Sequence, residues 1–459
     1  MNDYDVVIVG AGTGNMLPST GLDGRRVAII ERGLFGGTCL NRGCIPSKML
    51  VHAADIAESV RTAGRYGIRA ELLGADWPAI RDRVFDRLDH DADDGLEYRR
   101  RSGVDVYVGE GRFVEPRVLE VDGQRVRGER VLVAVGSRPT VPAIAGLADV
   151  SFHTTDTIMR IDALPRSMVI IGGGAVAAEL AHVFGAFGTE ITIVEQEATL
   201  LSPLDDDLAE QFTARARERF DVRLRTEVTR VERTPRGVAV HLEHAATPFV
   251  VEAEALLVAV GRTPNTDIVD AAAGGLALDE LDKVVADDTG ATNVPGVWAI
   301  GDVTNHSEFK HLAVAQMRIA MHNMLHPDDP RHADFPVMPS AVFGDPQIGT
   351  VGPTERALEA SGKRFVVGRS DYSDSAFGWA LEDTTGFAKL IADPETRRLI
   401  AAHIVGPQAA TLIQPLVQAI FLGNTVDQLA QHVLYIHPAP PEIVAHALLK
   451  LDEALDAPD

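Results

Sequence analysis

The two cysteines of this chain, Cys39 and Cys44, have the spacing that most clearly indicates chemistry. They are the only cysteines in 459 residues, and four residues separate them. This spacing suits a short turn that runs into a helix, where two Cα atoms can come within the roughly 4.4–6.8 Å that a disulfide requires. A disulfide that closes so small a loop adds little stability through chain entropy. The pair therefore favours a redox role over a structural one.

The residues after the pair predict a helix whose N-terminus would hold Cys44. Apolar side chains recur at helical spacing over residues 45–57, and Pro46 suits a first turn. The dipole of a helix stabilises a thiolate at this position. We expect Cys39, which lies one turn earlier, to be the more exposed of the two cysteines.

Two segments have the pattern of a buried strand that ends in a phosphate-binding turn. In the first, an apolar run at residues 4–9 leads into three closely spaced glycines. Glu31 ends the next apolar run about 20 residues on, where a carboxylate can hold a ribose hydroxyl. Asn15 stands where a further glycine is usual, so this motif is weak by itself. The three glycines are Gly10, Gly12 and Gly14.

The second segment matches the pattern more fully. An apolar run at residues 168–171 leads into a row of glycines that includes Gly172 and Gly174. A helix is predicted from there through Phe187, and Glu195 ends the apolar run after that helix. This segment is a strong candidate for a dinucleotide-binding unit.

An internal repeat supports a second nucleotide-binding unit. Residues 131–139 and residues 256–264 nearly copy each other as a buried strand that ends in a glycine. This glycine is Gly136 in the first copy and Gly261 in the second. The repeat indicates two related nucleotide-binding domains.

The last part of the chain differs in character and ends in a candidate acid–base pair. From about residue 334, short predicted strands alternate with helices, which indicates an α+β unit. His437 lies in a proline-rich segment and is followed by Glu442. A carboxylate can fix the tautomer of an imidazole, and the two groups together can transfer protons.

The bulk composition limits the partners and the compartment. A chain of 459 residues is expected to form two or three domains. Its net charge of −23 argues against nucleic acid and against an anionic membrane surface as partners. No signal peptide or membrane-spanning run is visible, so we expect a reducing cytoplasm, where a vicinal disulfide would be transient and catalytic. No pattern indicates a metal site.

Taken in chain order, these motifs resemble the flavin disulfide reductases, a family that includes glutathione reductase, dihydrolipoamide dehydrogenase and mycothione reductase. The resemblance spans the whole chain. It implies an α/β fold with two Rossmann-like dinucleotide-binding domains, for FAD and for NAD(P)H, and a C-terminal α+β dimerisation domain. The implied boundaries are residues 1–150 and 268–333 for the FAD domain, 151–267 for the NAD(P)H domain and 334–459 for the dimerisation domain.

The resemblance also implies roles for the residues around the cysteines. Cys44 faces the flavin and carries a thiolate, whereas Cys39 attacks a small-molecule disulfide. Lys48 lies beside the flavin and forms a charge pair with Glu179. The cysteine pair would reduce the substrate disulfide and then be reduced again by the flavin.

The remaining implied roles concern the partner subunit and the cofactors. His437, supported by Glu442, reaches the disulfide of the other subunit, so that the active site requires a homodimer. The residues implied to bind FAD are Gly10, Gly12, Gly14, Glu31, Gly37, Thr38, Lys48, Gly136, Gly301, Asp302, Leu312 and Ala313. The residues implied to bind NAD(P)H are Gly172, Gly174, Val176, Glu195 and Gly261.

Several longer stretches resemble the mycothione reductases within this family. They include residues 12–15, 156–161, 371–384 and 437–444. This resemblance implies that the substrate is mycothione, a disulfide of two neutral cysteinyl sugar units, which is reduced to mycothiol. Dihydrolipoamide dehydrogenase is one alternative. A redox sensor or oxidase that binds flavin and NAD is a second, although the cysteine pair and the C-terminal histidine argue against it.

One departure from the family pattern concerns the nucleotide. Members that prefer NADPH need arginines just after the strand of the second unit, but residues 195–202 contain no arginine. Glu195 stands there instead, and its carboxylate would bond two ribose hydroxyls of NADH and repel a 2′-phosphate. We therefore predict NADH in preference to NADPH.

Overall fold

The computed structural model describes residues 1–18 and 21–457. Its strands are β1 (Asn2–Val9), β2 (Val27–Glu31), β3 (Asp105–Val108), β4 (Arg112–Glu115), β5 (Val118–Val121), β6 (Gln124–Val133), β7 (Ser137–Pro139), β8 (Ser167–Ile171), β9 (Glu190–Val194), β10 (Asp221–Arg223), β11 (Thr226–Thr234), β12 (Gly237–His244), β13 (Thr247–Ala253), β14 (Ala255–Val258), β15 (Arg262–Pro264), β16 (Val297–Ala299), β17 (Ser340–Val342), β18 (Ile348–Val351), β19 (Val366–Asp371), β20 (Phe387–Ala392) and β21 (Leu399–Val405).

The α-helices of the described residues are α1 (Gly37–Asn41), α2 (Cys44–Thr62), α3 (Trp77–Arg101), α4 (Ala175–Ala186), α5 (Asp206–Arg219), α6 (Lys310–Leu325), α7 (Glu355–Ala360), α8 (Ala376–Leu381), α9 (Ala409–Phe421), α10 (Val426–Gln431) and α11 (Glu442–Asp456). Within residues 1–18 and 21–457, none of these helices combines the length and the apolar character that crossing a bilayer requires.

The first sheet is organised around β1, whose apolar residues are buried on both faces. Its strand order is β3-β2-β1-β6-β5-β4, and β16 also pairs with β6. The strands β3, β2, β1, β6 and β16 pair parallel with one another, whereas β5 pairs antiparallel with β6. The parallel neighbours on both sides of β1 explain the continuous apolar run over residues 6–9. On one edge of β6, the first half pairs with β5 and the second half, Val131 to Val133, pairs with β16. The segment that contains β16 therefore returns to the N-terminal sheet.

The second sheet repeats the parallel arrangement of the first. Its strand order is β10-β9-β8-β14, and the antiparallel sheet β11-β12-β13 accompanies it. The strands β8, β9 and the helix α4 between them are those that the glycine-rich segment predicts. The two copies of the internal repeat also meet, because β7 and β15 pair antiparallel. The repeat thus reflects two structurally similar units that are joined at this pair of strands.

The two glycine-rich turns lead into different structures. Residues Thr13–Asn15 form a single 3-10 turn after the first, whereas α4 begins directly after the second. The side chain of Arg99 holds the 3-10 turn by donating to Asn15 Oδ1 over 2.6 Å and to the Asn15 carbonyl. Pro18, which has no N–H, also opposes a regular helix here. The loss of the usual third glycine therefore coincides with the loss of the usual helix.

The C-terminal part forms an antiparallel sheet with strand order β17-β18-β21-β20-β19. The strands expected near residues 341–343, 365–372 and 386–391 are β17, β19 and β20, whereas β18 and β21 were not predicted. Helices α9 and α11 pack on this sheet and bury their apolar faces against it. This unit ends with the segment that carries the candidate acid–base pair.

A buried ion cluster joins the second sheet's unit to the C-terminal sheet. Lys389 of β20 is 2% exposed, and its ammonium group contacts Asp205, Asp207 and Glu355. The distance from Lys389 Nζ to Asp207 Oδ2 is 2.9 Å. Since these carboxylates lie close together, the ammonium group neutralises a set of charges that would otherwise repel one another.

Candidate active site

A cavity of about 430 Å³ opens at the carboxyl ends of β1, β2 and β6. In an open α/β sheet this is where ligands bind. Most of the predicted site residues line it. They are Gly10, Gly12, Glu31, Gly37, Thr38, Cys39, Cys44, Lys48, Gly136, Val176, Glu179, Gly301, Asp302 and Ala313.

The wall of the cavity at the first glycine turn is made of closely packed backbone. Gly10 has a φ of 102°, and a Cβ atom there would lie 2.3 Å from the carbonyl oxygen of Ala134. A Cβ on Gly37 would lie 2.6 Å from the Cα of Gly12. Only glycine fits at these positions, and the bare backbone lets a phosphate group approach closely. The cradle therefore fits the pyrophosphate of a dinucleotide.

Glu31 at the end of β2 and Glu195 directly after β9 are both held by hydrogen bonds from backbone N–H groups. Glu31 accepts hydrogen bonds from the N–H groups of Ala11 and Gly33, each over 2.7 Å. Glu195 accepts one from the N–H of Glu197 over 2.9 Å, and its carboxylate packs against Gly173. Each unit thus presents a fixed carboxylate beside its glycine turn, at the position suited to the ribose of a bound nucleotide.

The cysteines lie in adjacent short elements and interact directly. Cys39 belongs to α1, Cys44 is the first residue of α2, and both are free thiols. The hydrogen bond from the Cys39 thiol, assisted by the charge of Lys48, lowers the pKa of Cys44 to about 7. The same hydrogen bond and burial raise the pKa of Cys39. Cys44 is therefore the sulfur that carries negative charge first.

The predicted order of exposure was wrong. Cys44 is exposed and Cys39 is only partly exposed. Both residues line the cavity rather than the outer surface, and the first residue of α2 keeps more of its own surface accessible there. The position of Cys44 at a helix N-terminus correctly indicates which thiol has the lower pKa. It does not indicate which of the two side chains is more exposed.

Lys48 and Glu179 form an ion pair that connects three elements around the cavity. Lys48 Nζ lies 2.5 Å from Glu179 Oε2, and the other oxygen of Glu179 accepts the N–H of Phe343 over 3.1 Å. Lys48 also lies 4.9 Å above the ring of Phe343. The pair therefore holds α2 against α4 and against the residue after β17, with the ammonium group at the cavity wall.

His437 and Glu442 contact each other but do not line the cavity of their own chain. His437 Nδ1 is hydrogen-bonded to Glu442 Oε1, and the histidine side chain is 71% exposed. Glu442 Oε2 is buried and has no hydrogen-bond partner within residues 1–18 and 21–457. The carboxylate is thus fixed at the start of α11, and the imidazole projects outward from the C-terminal unit.

Eight predicted site residues do not line the cavity, and Gly14 is one of them. Gly14 is a packing residue, since a Cβ atom there would lie 2.9 Å from the Ala134 and Ile8 side chains. Asp302 lines the cavity and accepts a hydrogen bond from Ser137 Oγ over 2.8 Å. The predicted residues that do not line the cavity are Gly14, Leu312, Gly172, Gly174, Glu195, Gly261, His437 and Glu442.

Sequence reasoning missed two basic residues of the site. Lys310, the first residue of α6, lines the cavity and donates to Thr13 Oγ1 over 3.0 Å. Arg262 donates to Ser137 Oγ over 2.7 Å and lies 3.8 Å from Asp302. Lys310 follows closely after the predicted flavin-binding segment that contains Asp302, and this position could have indicated a site residue. It was not predicted, because a lysine at the start of a helix is usually exposed to solvent.

Comparisons with known proteins show the family of the chain. Residues 4–318 match the family described as pyridine nucleotide-disulphide oxidoreductase, and residues 338–448 match its dimerisation domain. The chain is 41% identical to mycothione reductase from Mycobacterium tuberculosis (strain H37Rv), covering 98% of this chain and 100% of that protein. It is 32% identical to dihydrolipoyl dehydrogenase from Vibrio cholerae, covering 96% and 94%.

A solved structure gives the same result for the fold. The HOCl-induced flavoprotein disulfide reductase RclA from Escherichia coli superposes with a TM-score of 0.85 at 27% identity, covering 99% of this chain and all of that one. The predicted α/β fold class and the resemblance to the flavin disulfide reductases are confirmed, and the dimerisation domain supports a homodimer. The chain belongs to the pyridine nucleotide-disulphide oxidoreductase family and is an NAD(P)H-dependent flavoprotein disulfide oxidoreductase.

Proposed function

We propose that this enzyme passes electrons from NADH through FAD and the Cys39–Cys44 pair to mycothione. The observation that carries the proposal is the cavity itself. One wall is a backbone cradle for a dinucleotide, and the other holds two adjacent cysteines whose pKa values are shifted in opposite directions. A thiol pair with one stabilised thiolate can reduce a disulfide and close to a disulfide itself.

The residues around the cavity fit FAD. The close backbone of Gly12 and Gly37 suits the pyrophosphate, Glu31 suits a ribose, and Asp302 suits a ribityl hydroxyl. Lys48 would stand beside the reactive edge of the ring. The flavin, when bound, supplies the two-electron chemistry by accepting hydride from the nicotinamide and passing the electron pair to the disulfide.

The cysteines divide the reaction with substrate. The Cys39 thiolate attacks one sulfur of the substrate, which forms a mixed disulfide and releases the first thiol. The Cys44 thiolate then attacks the Cys39 sulfur, which restores the Cys39–Cys44 disulfide and releases the second thiol. His437 of the other subunit takes the proton from Cys39 and gives it to the first leaving thiol, while Glu442 fixes the imidazole tautomer.

The choice of mycothione rests on the 41% identity to a mycothione reductase over nearly the whole chain. Steady-state assays with mycothione, lipoamide and glutathione disulfide at equal concentrations test it. We expect kcat/KM to be highest for mycothione. Preference for lipoamide would replace the proposal with dihydrolipoamide dehydrogenase, which the carboxylate of Glu195 and the 32% identical dihydrolipoyl dehydrogenase also favour.

Replacing Cys44 with Ser should remove a spectral signature of the reduced enzyme. One equivalent of dithionite should give the wild type a long-wavelength absorbance, because in this proposal the Cys44 thiolate lies next to the flavin. Since the pKa of Cys44 is about 7, this absorbance should fade as the pH falls through about that value. Cys39→Ser is the matched control: it has no disulfide to reduce, so its Cys44 thiolate should give the absorbance with oxidised flavin before any dithionite is added. Survival of the absorbance in Cys44→Ser would contradict the assignment of Cys44.

A further inference from the structure

The cations that line the cavity differ in whether a carboxylate matches their charge. Five basic residues of the lining lie within 4.0 Å of a carboxylate. The pairs are Arg32 with Glu110, Arg42 with Asp156, Lys48 with Glu179, Arg138 with Asp267, and Arg262 with Asp302 and Glu308. Glu31 of the lining is bound by two backbone N–H groups.

Lys310 is the exception. Its ammonium group donates to the hydroxyl of Thr13 over 3.0 Å, and it forms no ion pair with any residue in the described ranges 1–18 and 21–457. It is half-buried at the start of α6, where the apolar residues further along the helix fix it against the first sheet. The cavity that holds the cysteines therefore contains one unmatched positive charge at a fixed place.

We propose that Lys310 is a positioning residue for the reaction, whose unmatched ammonium group stabilises negative charge on both Cys39 and Cys44. The inference rests on the proposed function, in which the reduced cysteine pair carries one negative charge that moves between the two sulfurs. Lys48 is matched by Glu179 over 2.5 Å, so much of its field is cancelled. Lys310 supplies a charge that has no carboxylate within 4.0 Å among residues 1–18 and 21–457.

The direction of the pKa shifts agrees with this placement. The hydrogen bond to Cys44 and burial raise the pKa of Cys39, and the charge of Lys310 opposes that rise. The hydrogen bond from Cys39 lowers the pKa of Cys44, and the charges of Lys48 and Lys310 both add to that lowering. One lysine can therefore serve the thiolate at either stage of the reaction. During attack on the substrate the charge is on Cys39, and after the mixed disulfide forms it is on Cys44.

The test compares two replacements of Lys310 in the holoenzyme. Lys310→Gln removes the charge and keeps a group that can hydrogen-bond to Thr13, whereas Lys310→Arg keeps the charge. Each enzyme is reduced anaerobically with dithiothreitol, freed of reductant and treated with iodoacetamide over a range of pH. Mass spectrometry of peptides then gives the alkylation rate of each cysteine. We expect the pH midpoint of alkylation to rise by roughly half a unit to one unit in Lys310→Gln.

The controls separate charge from structure. Lys310→Arg should keep the midpoint of the wild type. Lys450→Gln removes a lysine that pairs with Asp374 on the surface and should leave the midpoint unchanged. A wild-type midpoint in Lys310→Gln overturns the inference, as does a midpoint in Lys310→Arg that rises as far as in Lys310→Gln. The proposed function fails separately, if reduced wild-type enzyme shows no long-wavelength absorbance and reduces none of the disulfides.

Discussion

Replacing His437 with Ala lowers turnover with a disulfide substrate by about a hundredfold to ten-thousandfold, the range that a positioned general acid–base contributes. The imidazole is 71% exposed and its Nδ1 is held by Glu442, so the second ring nitrogen is free to serve a group outside its own chain. Two neighbouring apolar residues, Leu434 and Ile436, are 99% and 73% exposed. A second subunit that packs on these two residues would also come into contact with His437. His437 of one subunit would then reach the cavity of the other.

Mixing two inactive variants shows whether the site is shared. Cys39→Ser and His437→Ala subunits, exchanged under mild denaturation and refolded together, should regain about a quarter of wild-type activity, because half of randomly paired dimers are mixed and each has one intact site of two. Mixing Cys39→Ser with Cys44→Ser is the control and should regain nothing, since both cysteines belong to one chain. Absence of recovery in the first mixture would place the acid–base group elsewhere.

The enzyme should prefer NADH to NADPH by at least tenfold in kcat/KM. A carboxylate within roughly 4 Å of a 2′-phosphate repels it by about 1 kcal/mol per charge even in water. A missing arginine forfeits a hydrogen bond to a charged group of about 1.5–3 kcal/mol, and about 1.4 kcal/mol corresponds to one factor of ten. Glu195 is fixed beside the second glycine turn by the N–H of Glu197, so it cannot easily turn away.

The measurement compares both nucleotides with one disulfide at fixed ionic strength. Glu195→Ala combined with Gln196→Arg should shift the preference toward NADPH. Arg225 is exposed, and its backbone N–H donates to the carbonyl of Glu197, which keeps Arg225 close to Glu195 in the structure. Its guanidinium is therefore a cation that could bind a 2′-phosphate. Equal use of NADPH by the wild type, abolished in Arg225→Ala, would show that Arg225 overrides Glu195.

Features with a local cause could be predicted from the sequence, whereas features set by tertiary contacts could not. The helix that begins at Cys44 and the glutamates at the ends of β2 and β9 are explained by periodicity and by the spacing of glycines. β21 was missed because residues 399–405 are apolar almost throughout and are buried on both faces, a pattern that a short helix can share.

The site residues divide in the same way. The side chains of Lys48 and Glu179 could be paired only through the family resemblance, because 131 positions separate them in the chain. The unmatched charge of Lys310 depends on which carboxylates reach the other cations of the cavity, and no local pattern contains that information. The depth of the two cysteines likewise depends on how α1 and α2 face the first sheet.

The two partners of β6 have a consequence for the order in which the chain can fold during synthesis. The second sheet is built from residues 167–258 alone, so it can close soon after residue 258 has left the ribosome. The first sheet begins earlier but must wait for β16, because Val131 to Val133 pair with Val297 to Ala299. Until then part of one edge of β6 in the first sheet stays unpaired, which is the condition under which nascent chains associate wrongly. Of the first and second sheets, the one whose synthesis starts first is therefore completed second.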